Sequence, residues 1–213
     1  MTHLRRQQVP KNWPIKRKGT AYVVRPNFAG VPILIILRDM LKIAENKKEV
    51  KRALHENKIL LNSKTAKDEK NPAVLFDTIS IIPSNKHYRL ILDSKGKYIL
   101  EEIKEKEAGE KIAKIINKKI LKGKKVQLNM GDGRNFISQE KCNVNDSILI
   151  DFKKKKIEKY LPFKEKAEVI VFAGKHAGKR GVIDKLIKER KIAKLRVDGQ
   201  EINVLIKQIM VTG

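Results

Sequence analysis

Residues 168–183, Glu-Val-Ile-Val-Phe-Ala-Gly-Lys-His-Ala-Gly-Lys-Arg-Gly-Val-Ile, set two short apolar runs on either side of a glycine-spaced turn. Val169 and Val171, then Val182, alternate as in strands with one buried face. Between them stand Gly174, Gly178 and Gly181, interleaved with Lys175, His176, Lys179 and Arg180. Glycine permits positive φ and close approach of the backbone to another chain. The cations put charge where the backbone is bare, which suits a loop laid against a phosphate backbone. His176 either contacts phosphate or sugar there or is an ordinary exposed loop histidine. Outward from this stretch the alternation continues through Val182 and Ile183, Leu195 and Val197, and Ile202 and Val204, with Gly199 at a turn. Residues 166–213 therefore read as a small SH3-like β-barrel.

The sign of that loop is the sign of the chain. Lys and Arg number 49 against 24 Asp and Glu, a formal net charge of +25 on 213 residues. Self-repulsion of that size destabilises a compact state and is tolerated where a polyanion neutralises it. Nucleic acid is the leading partner and an acidic membrane surface the second. At 41% hydrophobic the chain can bury real cores. At 5% aromatic it favours phosphate contact through Lys and Arg over a base-stacking platform as the main binding device. The single cysteine, Cys142, excludes an internal disulfide framework and fits a reducing compartment. The longest apolar run, Ile33 to Leu37, is far short of the ~20 residues that span a bilayer. These features predict a cytoplasmic protein with no membrane partner.

Residues 1–26 carry Arg5, Arg6, Lys11, Lys16, Arg17, Lys18 and Arg25 and no carboxylate. Pro10, Pro14 and Pro26 block regular helix. A basic segment without apolar periodicity is expected to be disordered alone and to order on an anionic partner. Trp13 either stacks on a base or anchors the segment to the protein's own core. From Ile33 the period becomes helical, with Leu34, Leu37, Leu41 and Ala44 on one face. Asn46 reads as the N-cap of a second helix, with Glu49 at its third position. That helix turns Val50, Ala53 and Leu54 inward and presents Lys47, Lys48, Lys51 and Arg52 outward. Its like-charge pairs at i, i+4 cost about 0.2–0.5 kcal/mol each. The same face is either phosphate-facing or merely solvated. Strand-like Ile59-Leu60-Leu61, the polar turn Asn62-Ser63-Lys64 and the run Ala73 to Ile81 follow.

From residue 85 the chain reads as mostly β, with a hairpin of Tyr88–Leu92 and Tyr98–Leu100 around Lys95-Gly96. Glu101 to Glu110 is expected to form one or two helical turns. Lys111 to Leu121 fits a helix or two strands. Gly123 and the alternating Val126, Leu128 and Met130 favour strands. Gly131-Asp132-Gly133 marks a tight turn, with Arg134 just after it. Strands at Ile148–Ile150 and Ile157–Leu161 flank the solvated turn Lys153–Lys156. The expected division is an N-terminal basic extension (1–32), a helical and β module (33–84), a central β domain (85–165) and the barrel (166–213).

Catalytic chemistry is not visible. Gly174 to Arg180 resembles a P-loop superficially but has three residues between its glycines instead of four, and Arg180 where a hydroxyl must reach magnesium. His3, His55, His87, His176 and Cys142 lack zinc spacing. Cys142 reads as inert and partly buried. Asp68 and Glu69, flanked by Lys67 and Lys70, read as a solvated cluster. No enzyme, cofactor, metal or small-molecule substrate is expected.

Three resemblances sharpen this reading. Leu37-Arg38-Asp39-Met40-Leu41, Lys47-Lys48, Lys58, Asn62 and Asp77-Thr78-Ile79 resemble the small RNA-binding fold named after bacterial ribosomal protein S four. That module prefers glycine where this chain carries Asn57, Ser63 and Phe76; Asn tolerates the left-handed region. Residues 168–183 resemble a KOW motif of ribosomal proteins and transcription elongation factors. Taken with His3-Leu4-Arg5-Arg6, Trp13 to Gly19, Val24-Arg25-Pro26, Asp77 to Ile81, Val126 to Asn129 and Asp132 to Asn135, the chain resembles the archaeal and eukaryotic small-subunit ribosomal family S four e over its full length. The resemblance implies an α+β, multi-module structural protein bound to small-subunit rRNA beside other ribosomal proteins. As RNA-facing residues it implies Arg5, Arg6, Lys11, Trp13, Lys16, Arg17, Lys18, Arg25, Arg38, Lys47, Lys48, Lys51, Arg52, Lys58, Lys64, Arg134, Lys175, His176, Lys179 and Arg180. A KOW-containing elongation factor and an RNA-modification protein are the rival readings.

Overall fold

The computed structural model describes residues 3–121, 125–138, 142–187 and 191–213. Strands dominate it, so the expected α+β balance is displaced towards β. The chain divides into two compact units. One is built from the chain up to Asp93 together with Lys97–Glu110, the other from Ser94–Gly96 together with Lys111–Gly213.

The first unit opens with β1 (His3–Arg5) and β2 (Tyr22–Val24), an antiparallel ribbon in which Arg5 pairs with Tyr22. A second short ribbon joins β3 (Val31–Pro32) to β6 (Pro72–Ala73). A five-stranded sheet runs in the order β5 (Lys64–Thr65), β4 (Ile59–Leu61), β7 (Thr78–Ile81), β8 (Lys86–Leu92), β9 (Tyr98–Ile103). The strands β8 and β9, expected to open a central domain at residue 85, instead extend this sheet. Thr78 to Ile81 pairs with Lys86 to Arg89 in the reverse order. The acidic run Glu101–Glu110 begins as the end of β9 and then turns, its helical part limited to a single 3-10 turn at Glu107–Gly109.

Helix α1 (Ile33–Ile35) continues as a π-helical turn over Ile36–Met40 and stops there. All of Ile33 to Leu37 is buried, because this apolar run passes through the middle of the core. Leu41 and Ala44 lie beyond the helix. Helix α2 (Lys47–His55) is capped as its sequence predicts, with Asn46 Oδ1 accepting from the amides of Lys48 (2.9 Å) and Glu49 (3.1 Å). Glu49 closes the box one residue further out, accepting from the Glu45 amide at 2.8 Å. Asn57, Ser63 and Phe76 all adopt left-handed φ, at 54°, 61° and 65°. The glycine-like geometry of those positions is kept although the glycines are not.

Residues 3–32 are folded against this unit's own core. Val9, Trp13, Val23, Val24 and Val31 are buried in one cluster with Ile33 to Leu37, Val50, Leu54 and Ile79. The expectation of a segment disordered without its partner is corrected by these contacts.

The second unit holds two five-stranded sheets. The first has the order β12 (Asn135–Ser138), β11 (Val126–Met130), β10 (Glu110–Ile120), β13 (Ser147–Asp151), β14 (Lys156–Leu161). The ambiguous stretch after Glu110 is thus one long bulged strand, not a helix and not two strands. Gly123 lies outside the described residues. The second sheet has the order β18 (Gln200–Leu205), β17 (Ile192–Val197), β16 (Arg180–Ile187), β15 (Glu168–Val171), β19 (Ile209–Val211). Val169, Val171, Ile183, Leu195, Val197 and Val204 are buried as the alternation predicts, whereas Val182 faces outward. The sheets are tied by Ser147 Oγ, which accepts from the Val211 amide at 3.1 Å, and by Lys114. Lys114 Nζ is buried and donates to the carbonyls of Ile206 (2.6 Å) and Ile209 (2.7 Å). Burial pushes its ammonium down to about 8.

Candidate nucleic-acid interface

The basic residues separate by what their side chains already hold. In the first unit Arg6 donates through Nε and Nη2 to Thr20 O (2.6 Å) and Thr20 Oγ1 (2.7 Å), and through Nη1 to Lys16 O (2.8 Å). Arg17 reaches back the other way, its Nη1 donating to Val9 O at 2.8 Å and to Arg6 O and Gln7 O at 3.3 Å. Two arginines thus clasp each other's loop. Gly19, at φ 137°, lets the chain fold close over the Arg6 guanidinium. Arg6 is therefore a structural residue first. Trp13 is 4% exposed and anchors the segment, so it is removed from the RNA-facing set.

What this folding leaves outward is cationic. Arg5, Lys11, Lys16, Lys18 and Arg25 are exposed and make no side-chain ion pair among the described residues. Arg6, Lys16, Lys18 and Arg38 come together around one cleft of about 270 Å³, with Pro14, Ile15, Val23 and Asp39. Arg38 is bound to its neighbour Asp39 at 2.8 Å, so it is a weaker donor to a phosphate than its charge suggests. A second cleft of about 270 Å³ is lined by Arg5, Arg6, Gln7, Arg17, Thr20 and Tyr22.

The α2 face is more neutral than its sequence. Lys47 lies 2.9 Å and Lys51 3.6 Å from the carboxylate of Glu69, which is buried rather than solvated as expected. Arg52 binds Glu56 at 2.9 Å, and Lys58 binds the same carboxylate. Those two cations, Lys58 first, hold the Glu56 carboxyl below its ordinary value. Lys48 and Lys64 remain exposed and free of ion pairs among the described residues.

In the second unit the loop between β15 and β16 has the geometry its glycines require. Gly174 and Gly178 take φ of 89° and 90°. Gly181 serves a different purpose, since a Cβ there would collide with the Arg196 carbonyl of neighbouring β17. Its close approach is to its own sheet, not to a partner. Lys175 and Arg180 are exposed, and His176 and Lys179 half-buried, with no ion pair on any of them among the described residues. Arg134 is engaged instead. Its guanidinium lies 4.2 Å from the Phe152 ring centroid, its Nε is 3.7 Å from Asp132, and its amide donates to Asp132 Oδ1. Lys111 Nζ, almost fully buried, approaches the same carboxylate at 2.7 Å. Burial pushes the Asp132 carboxyl up, but the Lys111 ammonium and the hydrogen bonds outweigh it and hold the group below its usual range.

Sequence reasoning singled out neither Tyr22 and Gln7, which line the second cleft, nor the buried Lys111 and Lys114. Only Tyr22 carried a signal, as an aromatic inside a carboxylate-free stretch that extends to Asp39. Among the described residues no group of three or more His, Cys, Asp or Glu is placed to hold a metal ion, and no helix is long and apolar enough to cross a membrane.

Residues 84–157 match ribosomal family S4e and residues 2–28 match the RS4NT (NUC023) domain. Small ribosomal subunit protein eS4 of Methanocella arvoryzae is 36% identical over 190 residues, covering 86% of this chain and 80% of the relative. The chain belongs to the ribosomal S4e family. Its eS4 relative from Nanoarchaeum equitans is 37% identical over 194 residues, covering 87% and 82% of the two chains. The crystal structure of 30S ribosomal protein S4e from Thermoplasma acidophilum shares the fold, with a TM-score of 0.74 at 24% identity over 86% of this chain and 94% of that one.

Proposed function

We propose that this S4e-family chain is a structural, non-catalytic constituent of the small ribosomal subunit in the cytoplasm, holding rRNA through phosphate-contacting basic surfaces. One observation carries the reading. Carboxylates engage Lys47, Lys51 and Arg52 of α2, while Arg5, Lys11, Lys16, Lys18 and Arg25 on one unit and Lys175, Lys179 and Arg180 on the other stand without ion pairs among the described residues. A fold able to pair its charges leaves these two sets for an anion outside itself. Duplex RNA is read mainly through backbone and shape, which such sets serve. The relatives are named for the small ribosomal subunit, which supplies the partner class: rRNA, with other ribosomal proteins beside it.

Within this reading, α1 to β7 is the S-four-like module and β15 to β19 the KOW-bearing, SH3-like barrel. The left-handed φ at Asn57, Ser63 and Phe76 supports the first, and Gly174 and Gly178 support the second. Sucrose-gradient sedimentation of cell extract tests the function. The chain is expected to travel with the small subunit and to leave it at high salt. Recovery with RNA polymerase in ribosome-free fractions would replace this reading by the elongation-factor one.

A further inference from the structure

We propose that Tyr22 is a stacking platform for one unpaired RNA base, with Arg5 and Arg17 holding the phosphate beside it. The proposal rests on the rRNA-binding reading and changes its character at this place, from phosphate contact alone to contact with a base.

The chain has 11 aromatic residues (six Phe, four Tyr and one Trp), and only two are largely exposed, Tyr22 at 63% and Phe28 at 79%. Both lie in the segment that carries no carboxylate before Asp39. Folding does not require this of Tyr22. Its neighbours Val23 and Val24 bury into the core, and the Tyr22 ring is left over solvent. The ring is nonetheless positioned. The His3 imidazole meets it edge-on, with centroids 6.4 Å apart and planes at 62°. Across the ribbon Arg5 is its direct partner, and residues paired in this way project from the same face.

The adjoining cleft supplies what a nucleotide needs besides a stacking surface. At about 270 Å³ it lies just below the usual size range of small-ligand sites, the scale of a single nucleotide rather than of a duplex. Arg6 is excluded as the phosphate donor, because its guanidinium is spent on Thr20 and Lys16. The Arg5 side chain has no hydrogen bond or ion pair among the described residues, and Arg17 uses only Nη1 on carbonyls. Gln7 lines the same cleft and offers both a donor and an acceptor to a base edge. An aromatic face, the Arg5 guanidinium with the remaining N–H groups of Arg17, and an amide together are the chemistry by which unpaired RNA bases are recognised.

The test titrates the full chain with a single-stranded RNA oligonucleotide and with a duplex carrying the same number of phosphates. Tyr22→Ala is expected to weaken single-strand binding about 5- to 150-fold and to leave duplex binding unchanged. The salt slope should stay as in wild type, since the ring carries no charge. Tyr22→Phe should retain wild-type affinity. The ring is mostly exposed, so unchanged thermal unfolding of both variants separates binding from folding. Equal effects of Tyr22→Ala on the two RNAs, or an equal loss in Tyr22→Phe, would overturn the stacking role. Failure of wild type to bind either RNA would instead bring down the rRNA reading on which this one stands.

Discussion

Asn62 and Ser63 occupy the two central positions of the turn joining β4 to β5, with φ of 51° and 61°. Two successive left-handed residues between paired strands make the mirror-image turn that matches strand twist. The Asn62 side chain is held there: its Nδ2 donates to Asp77 Oδ1 at 2.8 Å, and its Oδ1 accepts from the Thr78 amide at 3.0 Å. Ser63 is exposed and has no such compensation, so its Cβ carries the roughly 1–2 kcal/mol cost of the left-handed region. Ser63→Gly makes the Asn-Gly pair this turn favours. It is expected to stabilise the protein by about 0.5–1 kcal/mol, less than the full strain because glycine also frees the unfolded chain. A urea midpoint raised at constant m would show it; a lowered midpoint would mean that the strain is not local to Ser63. Phe76, at a φ of 65°, is no candidate for the same change, since its buried ring belongs to the fold.

The Arg6 and Arg17 clasp is the device that turns the N-terminal segment from charged tail into folded element. Losing Arg6 strands the Lys16 and Thr20 carbonyls and frees the 16–20 loop while leaving Trp13 anchored. Arg6→Ala should therefore be cut by trypsin at Lys16–Lys18 faster than wild type, with Lys11→Ala cut there at the wild-type rate. Equal cleavage in all three proteins would mean that the guanidinium does not hold the loop. The sequence displayed the charges but not this use of them, because counting cations does not reveal whether a guanidinium's partner is a carbonyl or a phosphate. Val9, Trp13 and Val23 are spaced too irregularly to announce a buried face. Helix α2 was legible, because its cap and apolar face lie within one short window, and so were the strands of residues 166–213. Strands β8 and β9 were legible as a hairpin but not as partners of β7. Alternation shows which face is buried and says nothing about the neighbouring strand. The clefts were illegible for a related reason, since Arg38 reaches Lys16 and Lys18 only through the tertiary fold.

At the scale of the whole molecule, the net charge of +25 acts with opposite sign on folding and on binding. In the free protein the cations repel one another, and added salt screens them over a Debye length that falls from about 10 Å at 0.1 M to 3 Å at 1 M. Thermal stability of the RNA-free chain should therefore rise with ionic strength. On RNA each neutralised phosphate releases counterions, so affinity should fall over the same salt range. The glycine-spaced loop separates the two effects within one variant. Lys175→Ala, Lys179→Ala and Arg180→Ala together remove three cations that hold no carboxylate among the described residues. The triple variant should unfold at an equal or slightly higher temperature, within about 0.5 kcal/mol of wild type per position. Its RNA affinity should drop, and the slope of log affinity against log salt should flatten by about 2 to 3, three contacts at roughly 0.7–0.9 each. Melting curves of the free protein and binding isotherms at three salt concentrations check both. Affinity and slope equal to wild type would take the loop out of the interface. Loss of stability together with affinity would mean that these cations support the turn rather than an external anion.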